Sequence, residues 1–252
     1  MNKILFIVEG QNDEVNYINR LFQVTNRSQK YTIIPYKTNL HTLARYIFDG
    51  EEIDDTLDIR QVLKEHEKDP EAKKELSVDF SDIILVFDFE PHHDHPCFDL
   101  IRKMITYFDN STGNGKLYIN YPMMQSYRHF AKLPDDSFRE LAVTKMEASK
   151  YKELVDSVSK FKNITHHSYP LFVSLAYHHL KKLNYILNGR YLLPEIAFVN
   201  QWRQEKLFDN QIDHMNENNK VYVINTFSLF VIEYNPTDFY NQIKKHPTKF
   251  SI

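Results

Sequence analysis

Two uninterrupted apolar runs constrain the fold of this chain more than any other feature of its sequence. They are "KILFIVEG" at positions 3–10 and "DIILVFDFE" at positions 82–90, and neither alternates apolar with polar residues. Continuous runs of this kind are typical of strands buried on both faces, as in parallel sheets that are covered by helices. The sequence therefore predicts an α/β protein.

Helical and strand-like segments alternate around these two runs. Apolar residues recur with helical spacing at 12–25, 39–50 and 96–110, and further strand-like segments lie at 31–36 and 116–123. This order of strands and helices indicates a mostly parallel sheet flanked by helices.

We expect two regions. Residues 1–134 contain the predicted sheet, with the heavily charged stretch 51–79 as a helical insertion. Residues 135–252 are expected to form a mainly helical accessory region, with long helical patterns at 137–161 and 170–189. The second pattern ends at a glycine, and an apolar run near the C-terminus is typical of a strand that leads into a helix.

Composition narrows the class of protein. Cys97 is the single cysteine, so an internal disulfide is excluded and a reducing compartment is favoured. The N-terminal run lacks a cleavage site of small residues, and no run reaches the ~18 apolar residues of a membrane span. We therefore expect a cytoplasmic protein that does not contact a membrane. A net charge of −3 gives no global basic signature, although a local basic groove can still bind nucleic acid.

Acidic residues follow both apolar runs where each predicted strand ends. Glu9 ends the first strand, and Asp13 lies at the start of the following helix. Asp88 and Glu90 end the other strand and project to the same face, because they are two residues apart. Ligands collect at the carboxyl ends of parallel strands, so we expect these four carboxylates to share one rim. Oxygen ligands at this density favour Mg²⁺ or Mn²⁺ over zinc.

The stretches "VEGQND" and "VFDFE" resemble the Toprim domain of topoisomerases, primases and nucleases of the overcoming-lysogenization-defect type. The similarity covers about residues 1–125. It implies that Glu9 is the glutamate of that family, and that Asp88 and Glu90 are its Asp-x-Asp pair with Glu in the second position. Asp13 matches a second acidic residue that the nucleases often have. The acidic residues of the family hold Mg²⁺ for phosphoryl transfer or hydrolysis.

The resemblance implies a stand-alone Toprim nuclease that hydrolyses DNA or RNA, tRNA included, with Glu9, Asp88 and Glu90 as its catalytic residues. Such nucleases often serve antiphage defence, sometimes beside an ATPase. The chain has no "GxxxxGK[ST]" motif, so ATPase activity would have to come from a partner protein. The sequence leaves open whether the chain forms a homodimer.

A non-catalytic alternative is a degenerate Toprim-like module that binds a partner or a nucleotide. Gln125 stands where the resemblance implies a glutamate in some of the similar proteins, and the Asp-x-Glu variant also departs from the pattern of the family. Lys116 is a candidate basic partner of the carboxylates, although a solvated surface lysine explains it as well.

The histidines after Asp88 suggest a third reading. "EPHHDH" at 90–95 is one substitution from the His-x-His-x-Asp-His signature of zinc hydrolases of the metallo-β-lactamase type. That fold needs a β-rich N-terminal half, whereas this chain begins with alternating strands and helices. His92 and Asp94 are therefore accessory candidates, for contact with phosphate or with the outer shell of a metal, or members of an exposed loop without a role.

Four basic residues on the helical pattern at 170–189 are candidates for nucleic-acid contact: His178, His179, Lys181 and Lys182. Tyrosines lie between them, and basic and aromatic residues together can bind a phosphate backbone and stack on bases. A solvated helix face beside core aromatics explains the same pattern.

Overall fold

The computed structural model describes residues 3–25, 29–48, 57–68 and 70–245. The strands are β1 (Lys3–Val8), β2 (Lys30–Pro35), β3 (Asp82–Asp88), β4 (Asp109–Asn110), β5 (Gly115–Tyr121), β6 (Ala142–Thr144), β7 (Lys220–Tyr222) and β8 (Ile224–Asn225). The helices are α1 (Asp13–Val24), α2 (Leu40–Phe48), α3 (Ile59–His66), α4 (Pro70–Glu75), α5 (Phe98–Tyr107), α6 (Lys145–Ala148), α7 (Tyr151–Val158), α8 (Tyr169–Asn188), α9 (Ile196–Gln201), α10 (Gln204–Asn218), α11 (Phe230–Tyr234) and α12 (Pro236–Lys245). A short 3₁₀ helix, Met124–Arg128, follows β5.

The central sheet is mostly parallel, as the sequence predicts. Its strands lie in the order β2–β1–β3–β5–β4, and the first four run parallel to one another. β4 and β8 both pair with β5 in the antiparallel direction. The carboxyl ends of β2, β1, β3 and β5 therefore lie along one edge, where α/β sheets bind their ligands.

Helices cover both faces of this sheet. On one face, Phe6 of β1 contacts Phe22 of α1 and Phe230 of α11, with ring centroids 5.8 and 5.6 Å apart. On the other face, Phe89 after β3 stacks on Phe98 of α5. Burial on both faces explains why β1 and β3 are apolar without interruption, since neither strand has a solvent-exposed face.

The described residues after 135 are mainly helical, and they pack on this same sheet. β8 pairs with the end of β5, and Phe227 lies 6.1 Å from Phe6 between ring centroids. The buried apolar side chains of both regions form one continuous core. Across the described part of the chain, no helix has both the length and the apolarity to cross a membrane.

The helical patterns predicted after residue 135 had different outcomes. The pattern at 170–189 is α8, which ends at Gly189 in the left-handed conformation, with φ of 71°. The prediction of a long helix over 137–161 is wrong, because β6 pairs with β7 in the middle of it. Thr144 then starts a new helix through reciprocal capping hydrogen bonds with Glu147.

The charged stretch 51–79 contains the short helices α3 and α4. Residues 51–56 and 69 lie outside the described residues, as does Gly50, the predicted end of α2. Three apolar side chains of this stretch are buried in the core: Ile59, Leu63 and Leu76. The stretch therefore packs one face on the domain rather than being solvated all round.

Candidate active site at the carboxyl edge of the sheet

Glu9 and Asp88 lie next to each other although 79 residues separate them in sequence. The parallel register pairs Val8 with Val86, so the chain leaves β1 at Glu9 beside the last residues of β3. The backbone N–H of Asp88 donates a hydrogen bond to Oε2 of Glu9 at 3.0 Å. The N–H of Glu9 in turn donates to the carbonyl of Val86 at 3.1 Å. The two acidic stretches of the sequence thus meet at one edge.

Glu14 is a third acidic residue at this edge, and the acidic motifs of the sequence did not predict it. Only 5% of its surface is exposed, and its charge acts on the carboxylates of both Glu9 and Asp88. A signal was available in the sequence, because Glu14 lies three and four residues before the buried Tyr17 and Ile18. It therefore falls on the buried stripe of α1.

Gly10 makes room for the Glu14 side chain. A Cβ atom at position 10 would lie 2.5 Å from Oε2 of Glu14, which is far closer than real Cβ contacts. The glycine that follows Glu9 therefore has a steric role: it lets the first turn of α1 bring a carboxylate over the end of β1.

Glu90 completes this group, which we call the acidic cluster: Glu9, Glu14, Asp88 and Glu90. Its backbone has φ of +46°, a left-handed conformation that is uncommon outside glycine. Its N–H donates to the carbonyl of Pro122 at 3.2 Å. The charge of Glu90 raises the pKa of Glu9, so the two carboxylates lie within electrostatic range of each other.

Burial and mutual repulsion raise the pKa values of Glu9, Glu14 and Asp88. Burial, together with the charges of Glu90 and Glu14, raises the pKa of Glu9 to about 8, although the Asp88 N–H opposes the shift. Burial and then the charges of Glu9 and Glu14 raise the pKa of Asp88 well above its ordinary value. Burial also raises the pKa of Glu14. Such a group of carboxylates must hold protons or a cation at neutral pH.

The raised pKa of Glu9 predicts that the Glu9→Gln variant is increasingly more stable than the wild type as pH rises, when no divalent metal is present. Below about pH 4.5 the carboxyl is protonated in both the folded and the unfolded chain. Between that pH and about 8, only the folded chain keeps the proton, so the wild type loses stability with rising pH. The expected divergence is up to about 1.4 kcal/mol per pH unit, or about 3–5 °C in Tm.

Thermal unfolding in EDTA from pH 5.5 to 8 measures this divergence. The exposed Asp213 of α10 supplies the matched control, because Asp213→Asn should follow the wild type at every pH. A constant Tm difference between Glu9→Gln and the wild type would show that Glu9 titrates normally. Addition of Mg²⁺ or Mn²⁺ at pH 8 is expected to raise the Tm of the wild type more than that of the variant.

Asp13 lies at the rim of the acidic cluster, next to Glu14. Its Oδ2 accepts hydrogen bonds from Nε2 of Gln125 at 2.6 Å and from Nζ of Lys152 at 3.1 Å. Asp13 and Glu14 are consecutive residues of α1, so their side chains point about 100° apart around the helix axis. Glu14 takes the buried side of α1, whereas Asp13 is partly exposed beside it and its charge contributes to the raised pKa of Glu14.

The donor chemistry of the acidic cluster fits a hard divalent cation. All its side-chain donors are carboxylate oxygens, the ligands that Mg²⁺ and Mn²⁺ prefer. Met124 donates its backbone N–H to Asp88, and the next residue, Gln125, has a buried Oε1 without a hydrogen-bond partner. Within the described ranges, no three His, Cys, Asp or Glu side chains are already arranged as a metal site. The acidic cluster therefore suits a divalent cation by the type of its donor atoms, although these atoms do not form a complete coordination shell.

The histidine-rich loop after β3 does not form a zinc site in the described structure. His92 is half-buried, with its Nδ1 buried and without a hydrogen-bond partner, whereas Asp94 and His95 are exposed. His93 stacks on His41 of α2 with ring centroids 4.3 Å apart. The N-terminal half is α/β and no group of zinc ligands is gathered among the described residues, so nothing here supports the zinc-hydrolase reading.

Lys116 lies at the other end of the sheet and does not contact the acidic cluster. Lys116 pairs with Ile84 of β3, whereas Asp88 pairs with Asn120. Asn120 lies four residues after Lys116 on β5, which is a distance of about 13 Å along the strand. The Lys116 ammonium forms an ion pair with Glu233 of α11. The expectation that Lys116 assists the carboxylates is therefore wrong.

His178 and His179 are buried, which excludes the predicted contact with nucleic acid. Nδ1 of His178 bonds the carbonyl of Ser174 at 2.9 Å, and its Nε2 accepts the N–H of Asp135 at 3.2 Å. Nδ1 of His179 accepts the N–H of Asn225 at 3.1 Å. Burial lowers the pKa of His178 to about 4 and that of His179 to about 3, so both rings are neutral.

Lys181 and Lys182 are buried as well. Nζ of Lys182 donates to the carbonyl of Phe138 at 2.8 Å, and burial lowers its pKa. Lys181 lies over the ring of Tyr191 at 4.3 Å and near Asp136 at 3.7 Å. The interpretation of this helix face as a nucleic-acid surface is wrong, because α8 crosses the interior with these residues turned inward.

No protein-family model, no curated protein and no solved structure matches this chain. A function therefore has to be argued from the acidic cluster and the residues around it.

Proposed function

We propose that this chain is a Mg²⁺- or Mn²⁺-dependent nuclease that hydrolyses phosphodiester bonds of DNA or RNA. The observation that supports it is the acidic cluster itself: the buried Asp88 and Glu14 and the half-buried Glu9 and Glu90 lie together at the ligand-binding edge of a parallel sheet. Their raised pKa values show that the fold places negative charge where it costs free energy. A bound cation offsets that cost.

The resemblance of "VEGQND" and "VFDFE" to Toprim nucleases supports the same assignment. Glu9, Asp88 and Glu90 are the positions that match the motifs of that family, and Glu14 joins them here. With the resemblance come further expectations: a cytoplasmic enzyme of antiphage defence that acts on DNA or tRNA, in some cases beside an ATPase partner.

In the proposed reaction, Asp88 and Glu90 would hold the cation, and Glu9 would share it or handle a proton. When bound, Mg²⁺ or Mn²⁺ supplies Lewis acidity toward a phosphodiester and toward water. Glu9 keeps Oε2 hydrogen-bonded to the Asp88 N–H, which fixes its orientation and leaves its other oxygen for the cation or for a water molecule. Its pKa of about 8 in the metal-free protein shows that this carboxylate favours a bound proton or cation near neutral pH.

Cleavage assays test this assignment directly. The purified chain is incubated with plasmid, single-stranded DNA and total tRNA, each with Mg²⁺, Mn²⁺ or EDTA. We expect at least one substrate to be cleaved with a divalent ion and none with EDTA. Cleavage that persists in EDTA, or intact substrates under every condition, would contradict the proposed activity.

A catalytically degenerate binding module is the second candidate. The observation that favours it is the pairing of Asp13 with Gln125 and Lys152, which neutralises one carboxylate that the nuclease motif would supply. In that case the assays show retention of nucleic acid or of a nucleotide without cleavage in any metal.

A further inference from the structure

A cavity lies at the carboxyl end of β2, the strand that neighbours β1 in the sheet. Its volume is about 470 Å³, within the roughly 300–1,000 Å³ range of ligand-binding pockets. We call it the β2 pocket. Its lining includes Tyr36, Lys37, Thr38, Thr42, Tyr46 and Lys68.

A backbone hydrogen bond connects Lys37, which lines the β2 pocket, directly to Glu9. The N–H of Tyr36 donates to the carbonyl of Val8 at 2.8 Å, and that of Lys37 donates to the carbonyl of Glu9 at 3.2 Å. These bonds continue the ladder between β2 and β1 beyond the strands. A ligand in the pocket therefore lies along the same edge as the carboxylates.

Backbone strain is concentrated at this edge. Lys37 has φ of +60°, and Glu90 has φ of +46°. Among the non-glycine residues that the structure describes, Asn219 alone shares a positive φ with them. Asparagine tolerates that conformation, whereas lysine and glutamate adopt it only under strain. Strained residues on both sides of Glu9 are typical of a surface shaped for a ligand.

The side chains of the β2 pocket suit a nucleic-acid strand. Lys37 and Lys68 are exposed cations of the lining, while Thr38 and Thr42 provide hydroxyls. Two carboxylates lie nearby: Glu67 in the lining, and Glu65, which accepts a hydrogen bond from the Tyr46 hydroxyl at 3.3 Å. Tyr46 is 46% exposed, although it is a large aromatic residue. Cations and hydroxyls bind phosphates, and exposed rings stack on bases.

We propose that the β2 pocket binds unpaired nucleotides next to the scissile phosphate, so that the substrate class is single-stranded nucleic acid, DNA or RNA. The proposal rests on the proposed nuclease function. A tyrosine ring can stack only on a base that is free of its helical neighbours, and two lysines are few for the doubled charge density of a duplex. Duplex nucleic acid therefore binds this edge more weakly than a single strand.

Binding without catalysis tests this inference independently of cleavage. The affinities of fluorescent oligo-dT, oligo-U and a short duplex are measured by anisotropy in EDTA. We expect Tyr46→Leu to weaken single-strand binding by about fivefold or more, because one stacking contact is lost. Lys37→Asn with Lys68→Gln is expected to reduce the slope of log K against log salt by about 1.4, since two phosphate contacts are lost. Asn tolerates the positive φ at position 37.

The control is Lys206→Gln, which removes an exposed lysine of α10. It should bind as the wild type does. Equal affinity of the wild type and the pocket variants, or tighter binding of the duplex, would overturn the inference even if the protein cleaves nucleic acid. Loss of binding in the pocket variants without cleavage in any metal would support the pocket and reject the nuclease. The relative affinities of oligo-dT and oligo-U identify DNA or RNA as the strand.

Discussion

Glu9→Gln and Asp88→Asn are each expected to lower metal-dependent cleavage by roughly 10²–10⁴-fold. Both substitutions keep the size of the side chain and remove one negative charge from the acidic cluster. The amide introduced by Glu9→Gln still offers an oxygen to the Asp88 N–H, so the local backbone is preserved. The loss therefore reports the charge of the carboxylate rather than the fold. Rates are measured with the substrate and the divalent ion that give the fastest cleavage by the wild type.

Glu14→Gln extends this test to the residue that the family motif does not include. Burial of Glu14 beside Glu9 and Asp88 predicts a loss of rate as well, by about tenfold or more. Asp213→Asn, an exposed residue of α10, is the matched control and should retain full activity. If Glu9→Gln and Asp88→Asn cleave as fast as the wild type, the cleaving site lies elsewhere or belongs to a contaminant.

His179→Ala is expected to destabilise the fold by about 3–5 kcal/mol, or about 10 °C in Tm. The substitution removes a fully buried ring that packs edge-on against Phe138 at 5.0 Å between centroids. It also leaves the N–H of Asn225 and the carbonyl of Tyr127 without their side-chain partner. A buried donor that loses its partner adds its desolvation cost to that of the cavity. Thermal unfolding at pH 7.5 provides the measurement.

The same substitution at an exposed histidine shows whether the loss of stability comes from the buried position or from the removal of any imidazole ring. His166 lies on the surface, so His166→Ala should change stability by less than about 0.5 kcal/mol. A nucleic-acid surface on α8 predicts the reverse for His179→Ala: weaker binding and an unchanged Tm. That result would show that this helix face is turned outward.

The hydrophobic patterns of the sequence were sufficient for the parallel strands of the sheet. β1 and β3 were predicted because a strand that is buried on both faces is apolar without interruption, and the strands predicted at 31–36 and 116–123 correspond to β2 and β5. The helix over 137–161 was predicted wrongly because β6 is held by its pairing with β7, more than seventy residues away. A strand formed through a distant partner has no local signature.

The sequence predicted some residues of the acidic cluster but not Glu14. Glu9 and Asp88 both follow strand ends, and the topology of a parallel sheet brings such ends together. The choice of Glu14 over Asp13 depends on how α1 is rotated against the sheet. The buried stripe of α1 records that rotation, whereas the short acidic motif does not.

The order of apolar runs and helical spacings determined, by itself, the α/β class and the edge at which carboxylates gather. Only the tertiary structure decided which charged side chains face that edge and which are enclosed in the core. Lys182 shows the difference: its position on α8 looks solvated along the chain, yet the carbonyl of Phe138 accepts its ammonium in the interior. Periodicity depends on neighbours in sequence, whereas burial depends on what packs above a residue from elsewhere in the chain.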